Sequence, residues 1–180
     1  EVLRNLKLQV DVMSLSATPI PRTLQMSLTG IRDISVIETP PRGRHEIRTY
    51  IGEYKDDLVR VAIEKELARD GQVFYLHNRV ESILQRALQL GRLVPECSFA
   101  VGHGQMGARE LKRVMDAFTR GEVDVLVATT IIESGIDIPA AGTIMIDQAD
   151  HFGLSELHQL RGRVGRGANK ARCHLLVEKW

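Results

Sequence analysis

The densest chemical signal in the chain is a run of ten residues, Leu157 to Arg166, reading LHQLRGRVGR. On a helix of about 100° per residue, Gln159, Arg163 and Arg166 fall within a stripe about 60° wide, and Leu157, Leu160 and Val164 form a separate apolar arc. Such a helix docks through one face and presents two guanidinium groups on the other. No Asp or Glu occurs between Leu157 and Arg172, whereas Arg161, Arg163, Arg166, Lys170 and Arg172 are all cationic. That composition suits a polyanion such as a phosphate group. Gly162 and Gly165 interrupt the run. Each costs about 1 kcal/mol relative to Ala inside a helix, so a close approach to the backbone is expected there.

Four other polar clusters each follow an apolar run: Ser16-Ala17-Thr18, His77-Asn78-Arg79, Gly102-His103-Gly104-Gln105, and Thr129-Thr130 continuing through Gly135 and Asp137. Ser16 and Thr18 have no neighbouring base that would make them nucleophiles. His45, His77, His151, His158 and His174 show no metal-ligand spacing and read as surface or hydrogen-bonded core residues. Asp147 and Asp150 read as solvated loop charges. Cys97 and Cys173 are far apart and without ligand partners, which predicts two reduced, buried thiols, no metal site and a cytoplasmic protein.

The elements that must position these clusters alternate along the chain. Val10 to Leu15 reads as a strand, and Thr18 caps a short helix ending near Gly30. Thr39-Pro40-Pro41-Arg42-Gly43-Arg44 breaks all periodicity and reads as a connector, with a domain boundary between residues 1–40 and 41–180. Helices are predicted over 57–68 and 80–90, around Leu111 to Phe118, and over 157–166; strands over 72–77, 98–101, 123–128, 143–146 and 173–177. Short β-branched strands between amphipathic helices predict an α/β fold with a mostly parallel sheet covered on both faces. Ligands of such sheets sit beyond the carboxyl ends of the strands, so the polar clusters are expected to share one rim, with the two guanidinium groups opening beside it.

The bulk numbers set limits. At 43% hydrophobic and 26% charged residues the chain is an ordinary globular protein, and it has no apolar run of membrane-spanning length. Its net charge of +1 means that any grip on nucleic acid comes from local clustering. The N-terminus lacks the features of a signal peptide and an initiator Met, and reads as a piece cut from a longer chain.

SATPIPRT at 16–23, TTIIESGIDIP at 129–139 and QLRGRVGR at 159–166 resemble, in order and spacing, motifs III, V and VI of the superfamily-2 helicases and translocases. With QVFYLHNRVESI at 72–83, GHGQM at 102–106 and ADHFGLSELHQLRGRVGR at 149–166, the chain most resembles the family of bacterial transcription-repair coupling factors, with the RecG helicases as the near alternative. The resemblance implies the second RecA-like domain of a motor that hydrolyses ATP with Mg2+ and tracks double-stranded DNA. Through other parts of the parent, such a motor acts on RNA polymerase and excision-repair proteins. It implies that Arg166 is an arginine finger, Arg163 a second phosphate contact and Gln159 polar support, with Gly135 and Asp137 at the nucleotide ribose. Asn78, Arg79, His103, Gly104, Gln105, Thr129 and Thr130 become DNA-backbone contacts, and Ser16, Ala17 and Thr18 a relay between the two motor domains. Residues 1–40 then correspond to the end of the first motor domain.

No G-x-x-x-x-G-K-[ST] phosphate loop and no D-E-x-[HQ] box occurs in the 180 residues. By the resemblance these lie upstream, hold most of the ATP and magnesium, and leave this fragment inactive alone. The alternatives are a RecG-type fork-regression helicase domain and a non-catalytic docking module for DNA or protein.

Overall fold

The computed structural model describes residues 46–130, 141–165 and 170–178, together with residues 35, 37 and 39. The chain divides into two units, Glu1–Glu38 and Thr39–Trp180, and the description concerns the second. The expected strand at 10–15, the helix that follows it, the connector at Pro40-Pro41 and His45 lie outside the described residues.

In chain order the elements are β1 (Arg48–Glu53), α1 (Asp56–Leu67), β2 (Gln72–Leu76), α2 (Val80–Leu93), β3 (Phe99–Gly102), α3 (Ala108–Thr119), β4 (Val125–Ala128), β5 (Ala141–Ile146), α4 (Leu154–Arg161) and β6 (Arg172–Val177). The strands form one six-stranded sheet in the order β1-β6-β5-β2-β4-β3, and each adjacent pair is parallel. Side chains alternate across the central strands. Phe74, Leu76, Leu126, Ile144 and Ile146 face one core with Met115 and Phe118 of α3 and Leu160 of α4. Val73, Tyr75, Val125, Val127 and Met145 face the other with Val59 and Ile63 of α1 and Ile83 and Leu90 of α2. Both faces are covered, as the continuous apolar strands require.

Several boundaries have local causes. Helix α2 runs three residues past the expected Leu90, through Gly91, and ends where Val94 precedes Pro95 and leaves helical geometry. Gly121, at φ +77°, closes the turn after α3 with its amide on the Phe118 carbonyl. Strand β4 starts at Val125, later than expected, because the Asp124 carboxylate accepts from the Ser98 amide and hydroxyl and holds that residue in a turn. Strand β1 was not legible in the sequence: it is an edge strand whose first four residues are exposed, so no apolar alternation marks it.

One carboxylate is buried where the strands begin. Glu66, on the last turn of α1 and 1% exposed, accepts from Arg69 Nη2 and from Thr143 Oγ1 of β5, with Arg172 Nη1 of β6 at 3.8 Å. Arg69 also donates to the Lys170 carbonyl at 2.7 Å. The Glu66 carboxyl group occupies the space that side chains at Gly71 and Gly142 would fill, so two glycines make room for one acid.

Candidate nucleic-acid interface

Because the strands are parallel, the segments after β5, β2, β4 and β3 line up along one edge in that order. At about 4.8 Å between strands, the row is about 15 Å long. Asn78 and Arg79 after β2 are exposed, as are Gly104 and Gln105 after β3; His103 and Thr130 are half-buried. Asn78 Oδ1 accepts from both the hydroxyl of Thr130, at 2.7 Å, and its amide, at 3.3 Å, which joins the β2 and β4 loops. The DNA contact expected at Thr129 is corrected: its amide donates to the Gly102 carbonyl at 3.2 Å and its side chain is 2% exposed, so the hydroxyl faces inward. Its oxygen and His103 Nδ1 are buried polar atoms with no partner among the described residues. Strands β2 and β5 are neighbours whose onward connections run to opposite ends of the sheet, which makes the gap between them a topological switch point. A hollow lies there, lined by Asn78, Arg79, Asp147, Gln148, His151 and Phe152.

Beneath the rim is a buried polar clasp. His77 Nδ1 meets Asp147 Oδ2 at 2.8 Å and its Nε2 meets Ser82 Oγ at 2.8 Å. Arg86 Nε approaches the same Asp147 oxygen at 3.0 Å, and its guanidinium lies 4.7 Å from the centroid of the Tyr54 ring. Burial, reinforced by the Asp56 carboxylate, pushes the Tyr54 phenol up to about 12. Burial and the Asp147 charge hold Tyr75 well above the usual tyrosine range. The sequence reading of Asp147 as a solvated loop charge is corrected here: it is 3% exposed and ion-paired. A charge buried at that depth persists only because a cation and a hydrogen-bond donor meet it. His77 is the hydrogen-bonded core residue expected. The chain of serine, imidazole and carboxylate has the connectivity of a nucleophilic triad, but Arg86 already neutralises the aspartate, so the group works as a clasp. Nothing in the local pattern marks it, because Asp147 lies 70 positions from His77.

The helix expected over 157–166 is also corrected. Helix α4 spans Leu154–Arg161 and ends at Gly162. Gly165, at φ +82°, takes a conformation that L-residues with a side chain rarely adopt. Arg163 therefore lies beyond the helix that carries Gln159. The close backbone approach expected at the glycines comes from the chain itself. A side chain on Gly165 would stand 2.9 Å from Ala171 Cβ and 3.4 Å from Ile47 Cγ1. Ile47 and Ala171 immediately precede β1 and β6, so the chain after α4 has crossed to the strands' amino-terminal edge. Leu160 and Val164 are buried against the core as expected, with Leu157 packed beside them. Gln159 is exposed and Arg163 half-buried. Of the five basic residues in this region, Arg172 is turned to Glu66. The expectation that the guanidinium groups open beside the loop-bearing rim does not hold for Arg163, since the rim and the Arg163 segment are different surfaces. Arg166, Gly135, Asp137, Ser16, Ala17 and Thr18 lie outside the described residues.

Among the described residues no group of three or more His, Cys, Asp or Glu side chains could hold a metal, and no helix is long and apolar enough to cross a membrane. Cys173 is buried, which pushes its thiol up to about 12. Cys97 is half-buried rather than buried; partial desolvation and nearby carboxylates raise it to about 11.

A six-stranded parallel sheet covered on both faces, with polar loops along its carboxyl edge and the LHQLRGRVGR run leading into its last strand, is the RecA-like C-terminal domain of a superfamily-2 helicase. Residues 54–168 match the helicase conserved C-terminal domain, and the chain belongs to that family. It is 53% identical over 176 residues to the transcription-repair-coupling factor of Staphylococcus haemolyticus, and 54% identical over 177 residues to that of Escherichia coli. Each alignment covers 98% of this chain and 15% of the relative, so the chain spans about a seventh of the length of these proteins. The structure of RecG bound to a three-way DNA junction superposes with a TM-score of 0.71 at 39% identity, over 89% of this chain and 22% of that one.

Proposed function

We propose that this chain is the second motor domain of an ATP-dependent double-stranded DNA translocase of the coupling-factor type, which displaces stalled RNA polymerase and brings excision-repair proteins to the lesion. The single observation that carries the reading is the 53–54% identity to transcription-repair-coupling factors across 98% of this chain, with residues 54–168 matching the helicase C-terminal domain. Asn78, Arg79, His103, Gln105 and Thr130 line the carboxyl edge of the sheet, where a DNA track would run.

On the rim, neutral amides, hydroxyls and one arginine would contact DNA phosphates without reading sequence, as a protein that steps along any template must. Arg166 would reach the γ-phosphate held by the preceding motor domain, with Arg163 beside it and Gln159 in support, while Gly135 and Asp137 would meet the ribose. Charge building on the transferred phosphoryl group limits hydrolysis, and a positioned arginine is worth roughly 10³–10⁵ in rate, about 4–7 kcal/mol. Magnesium would be held mainly by the preceding domain. The fragment alone is expected to be inactive. Identities of 53–54% to coupling factors against 39% to RecG favour the coupling-factor branch.

The test is Arg166→Ala in a full-length protein carrying this chain. Hydrolysis should fall at least 10³-fold, with nucleotide affinity within about threefold of wild type. Hydrolysis persisting near the wild-type rate removes the finger assignment, and turnover by the isolated 180-residue chain contradicts the divided site.

A further inference from the structure

His77 lies just beneath the rim, at the carboxyl end of β2. Its amide donates to the Ala128 carbonyl at the end of β4, at 2.8 Å, and its ring bridges Asp147 after β5 and Ser82 in the first turn of α2. With Nδ1 donating to the carboxylate and Nε2 accepting from the serine hydroxyl, both ring nitrogens are satisfied in the buried site. The next residue is Asn78, which holds Thr130. Asp147 in turn opens the segment that passes through the short turn Ala149–His151 into α4 and on to Arg163. The Asp147 amide donates to the Leu76 carbonyl at 3.0 Å, so backbone and side chain together fasten the two loops. Arg86 fixes the carboxylate from α2 and is itself held over Tyr54, beyond the end of β1.

We infer that His77 is a positioning residue that couples the DNA-contacting rim to the α4–Arg163 segment, so that engagement of DNA at Asn78 and Thr130 is transmitted to Arg163. The inference rests on the proposed translocase function. The physical basis is that both segments hang on one buried side chain: displacing the β5 loop requires either breaking two hydrogen bonds in a desolvated site or moving Asn78 with it. His77 touches neither nucleotide nor DNA. Its loss should therefore leave each site's intrinsic chemistry in place and remove the communication between them, which a coupling measurement detects and spatial intermediacy alone does not establish.

The experiment compares wild type, His77→Leu and Ser82→Ala in the full-length protein, measuring hydrolysis without DNA, hydrolysis with saturating double-stranded DNA, and affinity for ATP. His77→Leu should cut the DNA-stimulated kcat about tenfold, with basal kcat and KM for ATP within twofold of wild type. Ser82→Ala removes one of the ring's two partners and should cut stimulation about threefold. If His77→Leu fails to fold, Ser82→Ala decides the matter by the same criterion. Stimulation that survives in the variants, or a parallel fall of basal and stimulated rates, overturns the coupling role and leaves the translocase reading standing. A wild-type protein with no DNA-stimulated hydrolysis overturns both.

Discussion

Replacing Gly142 with Ala at the start of β5 tests the packing argument around Glu66. The new methyl group would lie well inside van der Waals contact of Glu66 Oε1 and 2.9 Å from Arg69 Nη2. The carboxylate cannot swing aside freely, because it is 1% exposed and tied to Arg69 and Thr143. Accommodating the methyl means either overpacking, which costs about 1–3 kcal/mol, or displacing the acid from charge-assisted hydrogen bonds worth about 1.5–3 kcal/mol each. A loss of about 2–5 kcal/mol follows. Glu66→Ala should itself cost about 3–5 kcal/mol, since it strands the Arg69 guanidinium in a half-buried site. In that background only the contact with Arg69 Nη2 remains, and the guanidinium, no longer held by Glu66, can turn away, so Gly142→Ala should become close to neutral, because alanine loses less backbone entropy than glycine. The cycle of wild type, both single variants and the double variant, followed by urea denaturation with circular dichroism, should give a coupling of at least 2 kcal/mol. Two losses that add to within about 0.5 kcal/mol would show that Gly142 and Glu66 do not share that space.

Two more predictions concern the same half of the domain. The His174 imidazole, stacked at 4.9 Å on Tyr50, is pushed down to about 4 by burial and by Arg172. In the unfolded chain it takes up a proton near its ordinary value, so its contribution to stability is present above about pH 6.5 and is lost as pH falls toward 4, by an amount on the order of 3 kcal/mol. Thermal denaturation of wild type and His174→Gln between pH 4 and 7 should show a shallower pH dependence in the variant; parallel curves would remove the histidine from the account. Gly165→Ala combines a left-handed backbone, costing roughly 1–2 kcal/mol, with a methyl 2.9 Å from Ala171 Cβ. It should lower stability by at least that amount in urea denaturation, and an unchanged midpoint would contradict the tight approach.

The sequence alone determined the α/β class, the parallel sheet, the two-sided apolar strands and most helix positions, because these follow from local periodicity and from turn residues such as Gly121. The polar clusters at 78–79, 103–105 and 129–130 were legible as rim loops for the same reason: in a parallel sheet every strand ends on the same edge. Tertiary structure decided what depends on partners far along the chain. Asp147 became a buried ion-pair member through His77 and Arg86, and Glu66 met a donor in Thr143 on β5 and a cation in Arg172 on β6. Periodicity carried LHQLRGRVGR forward as one helix, but α4 ends at Gly162, and Gly165 takes a left-handed backbone where it packs closely against Ala171 and Ile47, at the other edge of the sheet. A helical pattern records which side chains prefer the core; it holds no information about where a distant strand will press against the backbone, and that contact separates the Arg163 surface from the rim.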